Sequence, residues 1–251
     1  AAFALASFIK SVEAAAGILF FTYIASFIAE KNTVKVDEIL TKFYSFFMAF
    51  ILPGLFMAAI VSDKIILLTY GAEFSDSAKS FSILVFTFGL TLFSLPFGNI
   101  IFGSGRYFLS AIIWFFGFLV YIPAIFIFVH PDILNLKGLG AALALSISVL
   151  LVLSLSIFYS NKIIHFSFLK SYKQIFFNLL FAMAGLSIYS FWIKEINYLY
   201  TLLFVFGYII VFYYIAYLLK IFDNSAWFLI KNATNFSRLK NYILTEINSK
   251  K

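Results

Sequence analysis

The first helical stretch of the chain contains two side chains that could do chemistry in a membrane. Lys10 and Glu13 interrupt an apolar run between residues 4 and 21, and they lie about one helical turn apart. An ammonium group can bind a phosphate, and a carboxyl group can take up and release a proton. Charged side chains inside an apolar span are costly and usually mark a pathway for a substrate or an ion. The pair is therefore a candidate functional site.

Small and polar residues accompany Lys10 on one face of this helix. At 3.6 residues per turn, the face consists of Ser7, Lys10, Ser11, Ala14 and Gly17. Because most other residues of the helix are bulky, we expect this face to meet a cavity or another helix rather than lipid. The candidate substrate-binding residues of the chain are Lys10, Ser7, Ser11, Glu13 and Asn99.

Three interpretations of the two charges stay open at this point. Lys10 can contact an anionic cargo, or it can pair with Glu13 at i,i+3 and stabilise packing. In the third, Glu13 is a protonatable coupling group, since burial in an apolar environment favours the neutral form of a carboxyl group. Asn99 follows Pro96, a residue that kinks helices, and there it either lines a cavity or bridges two helices.

The composition is that of an integral membrane protein. Of the 251 residues, 63% are hydrophobic and only 12% are charged, whereas a soluble domain is typically about half apolar and about a quarter charged. Long unbroken apolar runs, such as 175–193, predict helices, because the strands of a membrane barrel would alternate apolar and polar residues. We therefore expect an all-α, polytopic membrane helical bundle.

Crossing a bilayer takes about 20 apolar residues. Pro53, Pro96 and Pro123 fall inside predicted spans, where each frees a backbone carbonyl group that neighbouring helices or a cavity have to satisfy. The connections between spans are short, and none could hold a soluble catalytic domain. Seven spans are predicted, at 2–29, 39–61, 78–102, 107–129, 139–160, 175–193 and 198–219.

The loop charges predict the orientation of these spans. Lysine and arginine concentrate in one set of alternating connections and in the tail, 221–251, whereas the other set holds most of the loop acids. Positive loops stay in the cytoplasm, so we predict a cytoplasmic C-terminus and a first span that enters from outside. In the tail, hydrophobic residues fall near helical spacing between basic ones. This pattern predicts either an amphipathic helix on the cytoplasmic leaflet or a frayed basic tail.

Two stretches carry a resemblance to a known family. The first runs from YGAEF, at 70–74, through a span to GSGR, at 103–106; the second is KGLGAALA, at 137–144, which opens another span. In order and spacing they resemble the C-terminal half of the polysaccharide (O-antigen type) flippases, in the superfamily of multidrug, oligosaccharidyl-lipid and polysaccharide exporters. Each motif also has a structural reason, since glycines allow turns and close helix packing.

The resemblance implies an architecture of two lobes around a central cavity. Residues 1–160 would form most of the C-terminal lobe, 161–220 two appended transmembrane helices, and 221–251 the basic cytoplasmic tail. The N-terminal lobe would precede Ala1, as an odd number of spans also suggests.

The resemblance also implies an activity and its partners. The activity is alternating-access flipping of an undecaprenyl-diphosphate-linked oligosaccharide across the bacterial or archaeal cytoplasmic membrane, for surface polysaccharide biosynthesis. The partners are the lipid bilayer, the lipid-linked oligosaccharide and a coupling ion, H+ or Na+. Lys10 would then meet the diphosphate, because such a group needs cations to cross the hydrocarbon region.

Other functions fit the sequence less well. A lipid II flippase or a cation-coupled multidrug exporter shares the architecture, but a drug exporter should have an acidic cavity, against which Lys10 argues. An O-antigen polymerase should have a large outward loop, and a non-transporting scaffold would need no kinked or charged spans. The sequence has no HExxH, GxSxG or Walker A motif and no cysteine. We therefore expect no enzymatic activity, no cofactor, no metal and no nucleic-acid partner.

Overall fold

The computed structural model describes residues 1–164, 172–194, 197–222 and 227. The regular secondary structure of these residues is helical, which confirms the expected all-α, multi-pass membrane bundle. Most spans have nearly the predicted bounds. Seven helical segments are long and apolar enough to cross a membrane: Ala2–Ala29, Thr33–Ile60, Ser77–Gly103, Tyr107–Val129, Lys137–Asn161, Lys173–Ile193 and Tyr198–Leu218.

The first two spans are each built from more than one helix. The first comprises α1 (Ala2–Ala6) and α2 (Phe8–Ala29). The second comprises α3 (Thr33–Phe46), a π-helical turn (Phe47–Ile51) and α4 (Leu52–Ile60). The other helices are α5 (Ser62–Tyr70), α6 (Ser77–Gly103), α7 (Tyr107–Val129), α8 (Lys137–Asn161), α9 (Tyr172–Ile188), which a second π-helical turn (Tyr189–Ile193) extends, and α10 (Tyr198–Leu218).

Two features of the fold differ from the sequence-based expectation. The second span begins earlier than predicted, because Asn32 caps α3: its side chain accepts a hydrogen bond of 3.2 Å from the Lys35 backbone N–H. Helix α5 lies in a segment expected from the sequence to be a connection between two spans. It has 9 residues, which is too short to cross a bilayer. It ends at Gly71, whose φ of 92° is readily adopted by glycine. The predicted tail, 221–251, lies outside the described residues apart from 221, 222 and 227.

Two hydrogen bonds just before Pro53 link the last two helices to the second span. Proline has no N–H group, so the carbonyl oxygen of Ala49 lacks its usual donor. The Tyr213 hydroxyl group of α10 donates to this oxygen at 2.9 Å. The buried Asn178 side chain of α9 donates to the neighbouring Met48 carbonyl oxygen at 3.2 Å. The neighbours therefore supply hydrogen bonds to two carbonyl groups just before Pro53, as predicted for a proline inside a membrane helix.

The second span and α6 form the centre of the bundle, and α7 and α10 lie at its edge. Aromatic rings fill the contact between α3 and α6: Tyr44 stacks on Phe97, with ring centroids 5.6 Å apart. The Tyr44 hydroxyl group donates to the Phe93 carbonyl oxygen at 3.3 Å, three residues before Pro96 of the same helix. The remaining faces of α6 pack against α2 and α8. Helix α6 is therefore the element that positions the candidate site residues of α2.

Candidate functional site

Lys10 and Glu13 both lie against α6. Lys10 Nζ is 5.2 Å from the centroid of the Phe88 ring, and Glu13 Oε2 is 2.7 Å from Thr91 Oγ1. Residue numbers increase in the same direction along both helices from the first contact to the second, so α2 and α6 run parallel. Lys10 and Glu13, both in the described part of the chain, form no ion pair within 4.0 Å. The i,i+3 pairing considered from the sequence is therefore replaced by contacts with the neighbouring helix.

The register between α2 and α6 stays constant along this contact. A side chain at Gly17 would begin 3.3 Å from Leu95 Cδ1, and one at Gly103 would begin 3.0 Å from Ala25 Cα. The two members of each pair are 78 residues apart in sequence, and the same separation holds for Glu13 and Thr91. Small residues at the contact points let the two backbones approach closely. Helix α6 therefore holds the charged side chains of α2 at a defined position.

The hydroxyl group of Thr91 lies between two oxygen atoms. Its Oγ1 is 2.7 Å from Glu13 Oε2 and 2.8 Å from the carbonyl oxygen of Phe88. A hydroxyl group has a single proton, so it can donate only one strong hydrogen bond. When it donates to Phe88, the contact with Glu13 needs a proton on the carboxyl group. When Glu13 is ionised, the hydroxyl proton has to turn toward the carboxylate. The arrangement can therefore respond to the protonation of Glu13.

The polar face predicted on α2 is divided between α6 and the protein surface. Gly17 faces α6, whereas Lys10, Ser11 and Ala14 are exposed. The Ser7 hydroxyl group donates to the carbonyl oxygen of Ala4, one turn earlier, at 2.7 Å, so its single proton is already used. Helix α2 thus contacts the bundle along one edge and presents Lys10 and Ser11 outward.

Asn99 is not part of this group. It lies eight residues beyond Thr91 on α6, which corresponds to about 12 Å along the helix axis. Its Nδ2 atom is buried and has no hydrogen-bond partner among the described residues. A buried amide without a partner is unfavourable, so Asn99 retains an unused donor inside the bundle.

Thr91 is the site residue that the sequence reasoning missed. A row of hydroxyl residues, Thr87, Thr91 and Ser94, runs along α6 and could have drawn attention to it. Such rows are common in membrane helices, however, because the hydroxyl group can bond to its own helix, as Ser94 does to the Thr91 carbonyl oxygen at 2.8 Å. Only the register between α2 and α6 distinguishes Thr91 from the others.

Comparisons with known proteins do not identify the chain. No family model matches it, and neither a curated protein nor a solved structure matches it. The resemblance to flippases therefore rests on the sequence motifs alone. The α2–α6 site is defined by its position in a membrane span and by the chemistry of its side chains.

Proposed function

We propose that the chain is part of a carrier that moves an anionic, lipid-linked oligosaccharide across the membrane by alternating access. The observation that supports this most is the exposed face of α2. Lys10 lies within a membrane-spanning segment, about 12 Å from its start at 1.5 Å per residue. A charged side chain in contact with lipid at this depth would be costly. A wet cavity that receives a diphosphate group removes this cost.

The side chains around Lys10 suit such a cargo. An ammonium group forms strong, charge-assisted hydrogen bonds with phosphate oxygen atoms. The exposed hydroxyl group of Ser11, one residue further along α2, is available to a sugar hydroxyl group. The Phe88 ring lies 5.2 Å from Lys10 Nζ and attracts the cation when no phosphate is bound. The second wall of the cavity would come from an N-terminal lobe of the same protein.

Glu13 is the coupling group in this proposal. Its carboxyl group is within hydrogen-bonding distance of Thr91, and the Thr91 proton can turn from one oxygen to the other. Binding and release of a proton at Glu13 would therefore change a contact between α2 and α6. For Na+, the oxygen atoms of the same two side chains would be ligands. This coupling step is what turns an ion gradient into directed movement of cargo.

A cation-coupled multidrug exporter is the second candidate, and the Glu13–Thr91 contact is the observation that favours it. A carboxyl group bonded to a neighbouring helix is sufficient for ion coupling without any anionic cargo. The two candidates differ in what they require of Lys10. The flippase needs the cation for its cargo, whereas the exporter of cationic drugs does not.

The test is export of surface polysaccharide in cells whose own copy of the protein has been deleted. We expect Lys10→Ala to abolish export and Lys10→Arg to retain most of it, because arginine keeps the cation. Lys31→Ala is the matched control: Lys31 is exposed just beyond the other end of α2, and its replacement should leave export unchanged. Normal export by Lys10→Ala at equal protein level would refute the assignment of Lys10 to cargo.

Glu13→Gln separates the two candidate carriers. The amide keeps the size of the carboxyl group but cannot release a proton. In the flippase, both Lys10→Ala and Glu13→Gln stop polysaccharide export. In the drug exporter, Glu13→Gln raises drug sensitivity of the cells and Lys10→Ala leaves it unchanged.

A further inference from the structure

The N-termini of α6 and α8 lie side by side at one end of the bundle. Ser80 Oγ of α6 is 3.6 Å from the point where a side chain on Gly138 of α8 would begin. Two turns further into the bundle, the hydroxyl groups of Thr87 and Ser146 are hydrogen bonded at 2.6 Å. The two helices therefore run parallel, and both begin at the same depth. The loop charges predict that this end is extracytoplasmic.

A polar cleft of ≈ 400 Å³ lies between the two helix starts. Its lining brings together two lysines and three serine hydroxyl groups. The polar residues that line it are Ser75, Asp76, Ser77, Lys79, Ser80 and Lys137.

The electrostatic field in the cleft favours an anion. The N-terminus of a helix carries roughly half a positive charge, and here two such ends converge. Neither is capped by a side chain: Asp76 and Leu136, the residues that precede the helices, make no capping hydrogen bond. Lys79 and Lys137 add two positive charges, and the Asp76 carboxylate removes one. The balance is positive.

Ser80 provides separate evidence for a ligand. Its side chain is only 7% exposed, and it lines the cleft. Its hydroxyl group makes no hydrogen bond with any residue that the structure describes. Because the rest of Ser80 is buried, this hydroxyl group is open only to the cleft that it lines. A ligand that accepts a hydrogen bond inside the cleft would satisfy it.

We propose that this cleft binds a phosphate-bearing group. The ammonium groups and the serine hydroxyl groups can donate to phosphate oxygen atoms, and the field of the two helix starts attracts their negative charge. The cleft is larger than a phosphate alone, so it leaves room for the glycerol or sugar that carries the phosphate. The site is separate from the α2–α6 contact, and it does not depend on the carrier function proposed above.

The test uses the purified full chain in phosphatidylcholine nanodiscs at low ionic strength, titrated with inorganic diphosphate in a calorimeter. We expect saturable binding, weakened about fivefold by Lys79→Gln or Lys137→Gln, as for an exposed charge pair. Ser80→Ala should weaken binding as well. Asp76→Asn should tighten binding, an effect that misfolding does not produce. Lys194→Gln, an exposed lysine on the same predicted side but outside the cleft, is the matched control and should have no effect.

Nanodiscs that contain phosphatidylglycerol distinguish the two sources of phosphate. If the lipid headgroup occupies the cleft, phosphatidylglycerol lowers the apparent affinity for diphosphate in the unmodified protein but not in the Lys79→Gln/Lys137→Gln variant. If a soluble phosphate is the ligand, phosphatidylglycerol has the same small effect on both proteins. Absence of saturable binding in phosphatidylcholine overturns the proposal. So does a loss in Lys194→Gln as large as that in Lys137→Gln, or a failure of Asp76→Asn to tighten binding.

Discussion

The first and fourth spans of this protein both lie at the edge of the bundle, but they expose different chemistry. Helix α7 exposes large apolar side chains along its length, such as Trp114, Phe118 and Phe126. The first span also exposes large apolar side chains, such as Phe8 and Ile18, but Lys10 and Ser11 are exposed among them. Helix α7 is therefore suited to contact lipid on its outer side. Part of the α2 surface is suited to water, to a polar ligand or to another protein surface.

The contacts with the bundle differ in the same way. Helix α7 packs on α8 through its buried residues Ser110, Ile113 and Gly117, and Ser148 of α8 donates to the Gly117 carbonyl oxygen at 2.8 Å. This contact uses neutral groups only. Helix α2 packs on α6 with a carboxyl group at the contact. The comparison teaches that exposure alone does not define a lipid-facing helix; the chemistry of the exposed face does.

The largest expected effect comes from placing a new lysine on each exposed face. Phe118→Lys lies near the middle of α7, where a lysine facing hydrocarbon costs about 3 kcal/mol. Ala14→Lys lies near the middle of the first span, on the face of Lys10, and should cost less than about 1 kcal/mol, because a lysine in the proposed wet cavity stays hydrated. Membrane-inserted protein in cells should fall strongly for Phe118→Lys and little for Ala14→Lys. Equal losses would show that both helices face lipid.

A smaller effect is expected from removing the hydrogen bond between α2 and α6. Thr91→Val keeps the shape of the side chain but leaves the carboxyl group of Glu13 without its partner. We expect a loss of about 1 kcal/mol in the free energy of unfolding, the usual size for such bonds between membrane helices. Ser94→Ala is the control, since that hydroxyl group bonds only to its own helix. Denaturant unfolding in micelles measures both, and equal losses would mean that the Glu13 contact contributes nothing specific.

Much of the fold could be predicted, because each membrane span is a long apolar run that can be recognised in the sequence. The bounds of α7, at 107–129, agree with the prediction. The start of the second span could not be found in this way, because the first turn of α3 is polar and depends on the Asn32 cap. Helix α5 was missed since short helices at a membrane surface have no distinctive hydropathy.

The site was predicted only in part, for a different reason. Lys10 and Glu13 could be identified because charges are rare in apolar spans. Sequence spacing shows which residues share a face of one helix, but it does not show which helix comes next to it. The contact of Glu13 with Thr91 depends on the register between α2 and α6, and this arises from packing of the whole bundle.

Water accessibility of the α2 face is the most direct test of the account. The chain has no cysteine, so single cysteines can be introduced in the full protein at Ser11 of α2 and at Phe115 of α7, both exposed. The thiolate, which forms in water and not in hydrocarbon, attacks a membrane-impermeant thiol reagent. We predict rapid modification of Ser11→Cys and none of Phe115→Cys in intact membranes. Protection of both cysteines would contradict the account, because the face that carries Lys10 would then lie in lipid.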